Sequence, residues 1–180
     1  MPRNPSDKRE RLTAAAIRLA RTQGLEATTI AAIAAEAEVP SGSVYYYFKT
    51  KTDVAQAIAD GIAAVLAGEA AEHSGAQDPR DALTSFLSSY LDDADTTVEY
   101  GTVLSTAARV GSGDAHAQVL AWIADTFMEL GFAESAAHAR AQHLLAGLEG
   151  GAALASALGD TAPLEREVAH LTRWVANAKP

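Results

Sequence analysis

Thr28-Thr29-Ile30-Ala31-Ala32-Ile33-Ala34-Ala35-Glu36-Ala37-Glu38-Val39-Pro40-Ser41-Gly42-Ser43-Val44-Tyr45-Tyr46-Tyr47-Phe48-Lys49-Thr50-Lys51 is the stretch that decides how this chain is read. Thr28 or Thr29 can cap a short helix running to Ala37, with Ile30, Ile33 and Ala34 turned inward at helical spacing. Val39-Pro40 breaks that helix, because proline lacks an N–H and restricts the residue before it. A second short helix then fits Ser41 to about Phe48, and Lys49-Thr50-Lys51 forms a polar turn.

Two short helices joined by a tight turn make a helix-turn-helix candidate. Ile30, Ile33, Val39, Val44 and Phe48 supply a compact apolar set able to fix them at a steep angle. The other face of the second helix carries Ser41, Gly42, Ser43, Tyr46 and Tyr47, small or hydrogen-bonding groups that can approach a major groove without steric conflict. Donors suited to phosphate surround it: Thr29 at the first helix start, the tyrosine hydroxyls, and Lys51.

Outward from this segment the periodicity is helical nearly everywhere. Upstream, Leu12, Ala16 and Leu19 share one face with Ala15 beside them, while Arg11, Arg18 and Arg21 take the other. Ile17 falls off the stripe and is expected to meet a neighbouring helix. Ser6 is the expected cap and Gly24 the expected stop. Downstream, Thr52 opens a long helix with Val54, Ile58, Ile62 and Leu66 in step. A loop is expected over 73–79, followed by helices over about 79–92, 101–110, 115–130, 134–158 and 163–177. The expected breaks are Asp92-Asp93-Ala94-Asp95, Gly111-Ser112-Gly113, Gly131 and Gly159-Asp160-Thr161-Ala162-Pro163. No alternating strand pattern of useful length occurs, so the fold class is all-α.

The totals agree with a soluble globular chain. Its 180 residues are 48% hydrophobic and 21% charged, enough for a sizeable core. Cysteine is absent, which excludes disulfides, thiolate metal sites and cysteine nucleophiles. No segment has the apolar length of a membrane span, and a cytoplasmic location is expected. The net charge of -9 is unevenly spread: residues 1–52 hold eight basic and five acidic side chains, a net +3, leaving -12 for the remainder. A basic head on an acidic body suits a head that meets phosphate.

The segment Thr28 to Lys51 resembles the N-terminal signature of the TetR family of repressors. Thr29, Ile33-Ala34, Val39, Gly42-Ser43-Val44-Tyr45, Tyr47-Phe48, Lys51 and Val54 all fall on it, and the match covers roughly the first third of the chain. The resemblance implies that Thr29, Tyr45 and Lys51 grip phosphate, while Ser41, Gly42, Ser43 and Tyr46 face base edges. Two positions depart from the pattern. Glu38 stands where the turn glycine is usual, and Ala31 stands where a polar DNA-contacting residue is frequent. The implied organisation is a three-helix DNA-binding domain over 1–52 and a helical ligand-binding and dimerisation domain over 53–180.

Parts of the second region are similar to LmrA/YxaF-like repressors: Val98-Glu99-Tyr100-Gly101, Trp122-Ile123-Ala124, Glu129-Leu130-Gly131 and the run Leu144 to Ala152. On that likeness Phe86, Tyr90, Tyr100, Trp122 and Phe127 are the candidate lining of a pocket for a small, mostly apolar ligand. Ala136, Leu144, Gly147, Gly151 and Leu154 are the candidate dimer face on the helix 134–158, where mid-helix glycines fit a backbone passing close by. The expected partners are a second copy of the chain, a small-molecule inducer and a palindromic double-stranded operator.

Other classes fit less well. The five histidines make no i, i+4 pair, Asp92-Asp93-Ala94-Asp95 lacks the rest of a calcium loop, and no catalytic constellation or cofactor loop stands out. The chain is read as a non-enzyme without metal or cofactor, with an activator or a ligand-independent DNA-binding dimer as the alternative and a small helical enzyme as a remote third.

Overall fold

A computed structural model describes residues 5–73, 76, 78–111 and 113–180. Parts of the expected loop over 73–79, Ser112 of the expected glycine break, and the side chain of Ser6 lie outside the described residues. Ten helices and no strand are found among those described, as the all-α reading requires. They divide into two compact units, residues 1–64 with 103–115, and residues 65–102 with 116–180.

The first unit grows from the amphipathic helix α1 (Pro5–Ala27), whose Leu12, Ala15, Ala16 and Ala20 are buried. Gly24, the expected stop, stands at φ 82 and ψ 160, a backbone region open to glycine alone, and two helical segments meet there across a kink. The buried Thr28 bridges this kink by donating its hydroxyl to the Gly24 carbonyl at 2.8 Å. α2 (Ile30–Glu36) follows, capped by Thr29, whose Oγ1 accepts from the Ala32 N–H at 3.1 Å. Two arginines expected on the outer face of α1 are tied to α2: Arg11 donates to the Ala37 carbonyl, and Arg18 pairs with Glu36 at 2.9 Å.

α2 ends in a Schellman arrangement. The Val39 N–H reaches the Ala34 carbonyl at 2.9 Å and the Glu38 N–H reaches Ala35 at 3.1 Å. The residue that must be left-handed is Glu38, at φ 53. α3 (Ser41–Tyr47) buries Val44, and Phe48 beyond it joins Leu12, Ile33, Ile58 and Ile62 among the largest fully enclosed side chains.

The long helix α4 (Lys51–His73) begins one residue before Thr52, the expected start. A reciprocal cap explains the earlier start. Thr50 Oγ1 accepts from the Asp53 N–H at 3.1 Å, and Asp53 Oδ2 accepts from the N–H groups of Lys49 at 2.8 Å and Thr50 at 2.9 Å. Those two N–H donors hold the Asp53 carboxyl below its usual range. Ile17 meets α4 at Gly61, where a Cβ would lie 2.9 Å from the Ile17 Cδ1 and 2.5 Å from Thr13 Cγ2.

The second unit contains the end of α4, α5 (Pro79–Asp92), α6 (Ala94–Tyr100), most of α8 (Gly113–Glu129), α9 (Glu134–Leu158) and α10 (Ala162–Ala176). α6 begins inside the expected break, at Ala94 and Asp95, and runs on to Tyr100. Only Asp93 separates it from α5, and Gly101 stops it before α7 (Val103–Val110), which packs on α1 in the first unit. α9 packs on α10 and α6, and α10 packs on α5. Phe127 is enclosed with Phe132 and Trp174 against it edge-to-face, and Arg140 lies 4.2 Å over the Phe132 ring.

Candidate nucleic-acid interface and ligand pocket

The inner side of α3 is fixed by Val44 and Phe48, so its other residues must face outward. Ser41 and Gly42 are exposed and Ser43 half-exposed; Tyr45 is 58% and Tyr46 81% accessible. Tyr47 is half-buried and meets Tyr46 edge-to-face at 5.2 Å between ring centres. Thr29 is exposed; its oxygen already accepts the cap bond, which leaves its O–H as a donor. Lys51 is exposed too, with Nζ donating to the Glu26 carbonyl at 2.8 Å. An ammonium has three N–H groups, and that bond positions the charge while leaving two for a phosphate. All eight residues singled out in the sequence therefore lie in the first unit: six on α3, Thr29 at the start of α2 and Lys51 at the start of α4.

The pocket of the second unit encloses about 380 Å³. Leu66 and Ala67 of α4, Phe86 of α5, and Val119, Ala121 and Trp122 of α8 form its apolar wall; Gln118 and Asp125 are its polar members. Phe86 and Trp122 meet edge-to-face at 5.3 Å. Of the five aromatic candidates, the structure brings these two together at the pocket. Tyr90 stands behind Phe86 at 5.5 Å, Tyr100 is half-buried at the end of α6, and Phe127 is fully enclosed in the core.

Gln118, Asp125 and Glu149 were not singled out in the sequence, where no spacing marks them. Glu149 on α9 accepts from Thr102 Oγ1 at 2.9 Å and, more loosely, from the Tyr90 hydroxyl at 3.5 Å. Enclosure pushes its carboxyl above the usual range, against the opposing pull of Thr102, His116 and Tyr90.

The five dimer candidates separate. Leu144 is fully buried within its own chain, and Gly151 is buried as well. A Cβ on Gly147 would lie 2.7 Å from Glu167 Oε1, and one on Gly151 2.9 Å from Glu167 Cβ. The close backbone these glycines accommodate is α10 of the same chain. Ala136 and Leu154 are exposed, Leu154 to 59%.

No described helix is long and apolar enough to cross a membrane. No described group of three or more His, Asp or Glu could hold a metal ion.

Residues 12–58 match the family described as bacterial regulatory proteins, tetR family. No curated protein matches the sequence. Solved structures share the fold along almost the whole chain. A TetR transcriptional regulator from Legionella pneumophila superimposes with a TM-score of 0.77 at 18% identity, covering 97% of this chain and 98% of its own. The regulatory protein TetR from Rhodobacter sphaeroides gives 0.76 at 20% identity over 91% and 96%. Reduced NemR from E. coli gives 0.71 at 23% identity over 97% and 99%.

Proposed function

We propose that this chain, whose residues 12–58 belong to the tetR family of DNA-binding domains and whose whole length has a TetR-type fold, is a dimeric transcriptional repressor released by a small ligand. The observation that carries the reading is α3 itself. A seven-residue helix with a buried inner side presents the rings of Tyr45 and Tyr46 largely to solvent, where a core would have enclosed them. Thr29, Tyr45 and Lys51 anchor phosphates, and Ser41, Gly42, Ser43, Tyr46 and Tyr47 meet the groove. The likeness to LmrA/YxaF-like repressors rests on the sequence of the second unit and belongs to the same reading.

The dimer forms through the exposed side of α9, where Ala136, Ala139, Ala146, Gly150 and Leu154 leave room for a close helix approach. Two recognition helices then sit about 34–36 Å apart on a palindromic operator. Release follows from the continuity of α4, which begins at Lys51 and contributes Leu66 and Ala67 to the pocket wall. A ligand that displaces this helix alters the operator grip, and operator weakens ligand binding by the same factor.

The test is operator selection from a random palindromic pool, followed by anisotropy titrations over a salt series. Lys51→Ala weakens binding to every sequence and lowers the salt slope by about one, while Tyr46→Ala mainly relaxes sequence preference. Failure to select any palindrome, or identical behaviour of the two variants, refutes the assignment. Sedimentation of Leu154→Glu checks the dimer: a folded monomer is expected, and an unchanged dimer refutes the α9 face.

A further inference from the structure

The pocket carries a charge asymmetry that narrows its ligand, an inference that rests on the ligand-responsive reading above. Its wall is apolar apart from Gln118 and Asp125, and no described Lys, Arg or His lines it. Gln118, Trp122 and Asp125 are spaced four and three residues apart on α8, so they share one face. Asp125 has no ion-pair partner among the described residues.

Each class of occupant then meets a different fate. A neutral apolar ligand gains nothing from the carboxylate of Asp125, which is solvent-exposed, and an anion is repelled by it. A cation gains an opposite charge there, a contact that water screens in part. The Phe86–Trp122 pair adds ring surface whose negative face attracts the same cation. The cavity of about 380 Å³ lies at the small end of ligand sites, which limits the body to one or two rings or a branched alkyl group. We infer that the pocket selects a small organic cation, its charged nitrogen beside Asp125 and its apolar body against Phe86 and Trp122.

Phenyltrimethylammonium and tert-butylbenzene share one shape and differ by one charge. Equilibrium dialysis of the full chain against each measures the selection. The cation is expected to bind about tenfold more tightly, the combined scale of a solvent-exposed ion pair and a cation–π contact. Asp125→Asn, an exposed position, should lower the cation's affinity about threefold and leave that of tert-butylbenzene unchanged. Equal binding of the two probes to the native chain, or a preference undiminished by Asp125→Asn, overturns the cation assignment and leaves the pocket standing. Binding of neither probe overturns the ligand-pocket reading and this inference with it.

Discussion

Glycine is placed differently in the two halves of this molecule. The α2–α3 turn in the first unit requires a left-handed residue, and the chain has Glu38 there at φ 53. In α9 of the second unit no unusual dihedral is required, yet Gly147 and Gly151 stand where a Cβ would press on Glu167. The difference reflects the form of each penalty. A left-handed dihedral costs a side chain about 1–2 kcal/mol and no more, and Glu38 points into solvent. A clash between packed helices grows with every added atom. Gly61 shows that room decides, whichever unit is concerned, since a Cβ there would meet Thr13 and Ile17 of α1.

Substitution at these positions tests the contrast. Gly151→Val should have the largest effect, lowering stability by about 3 kcal/mol in urea unfolding as α10 is forced from α9. A loss below that of an ordinary surface change would break the comparison. Glu38→Gly should raise stability by about 1 kcal/mol in the same assay, by relieving the left-handed strain. A destabilised variant would mean that the glutamate side chain contributes more than its dihedral costs.

Two carboxylates sharpen the contrast through opposite pH profiles. Glu149 titrates above its ordinary 4.5 in the folded chain because it is enclosed, so stability falls as pH rises through the folded value. Glu149→Gln removes that loss; its Tm should exceed that of the native chain at neutral pH, and the advantage should vanish below about pH 4.5. Asp53 titrates below 3.8 because backbone N–H groups favour its charged form, so its contribution is present above that value and lost as pH falls through the folded one. Asp53→Asn should therefore give the smallest change, a slightly lower Tm at neutral pH that closes on acidification below 3.8. Parallel profiles for the two variants would refute the distinction between an enclosed and a capped acid.

The recognition segment was legible because its evidence is local. Cap, apolar pair, turn, small-residue helix and lysine lie within 24 residues, and inward and outward faces follow from helical period alone. The positive φ at Glu38 was legible through the resemblance alone, which puts a turn glycine at that position. The pocket was legible only in part. Phe86 and Trp122 were named for their size, but Phe127 has the same apolar character and lies in the core. Asp125 and Gln118 carry no mark in the sequence until α4 and α5 are placed against α8.

By itself the sequence determined an all-helical chain and a helix-turn-helix segment whose second helix has its inner and outer sides assigned. Each is a property of neighbours in the chain, fixed by dihedral preference and by 3.6-residue periodicity. Tertiary structure alone decided that Gly147 and Gly151 serve α10 of the same chain, that Glu149 is enclosed, and that Asp125 faces an aromatic pocket. Close approach, desolvation and cavity shape depend on residues distant in sequence, and local spacing carries no record of which helix will stand opposite.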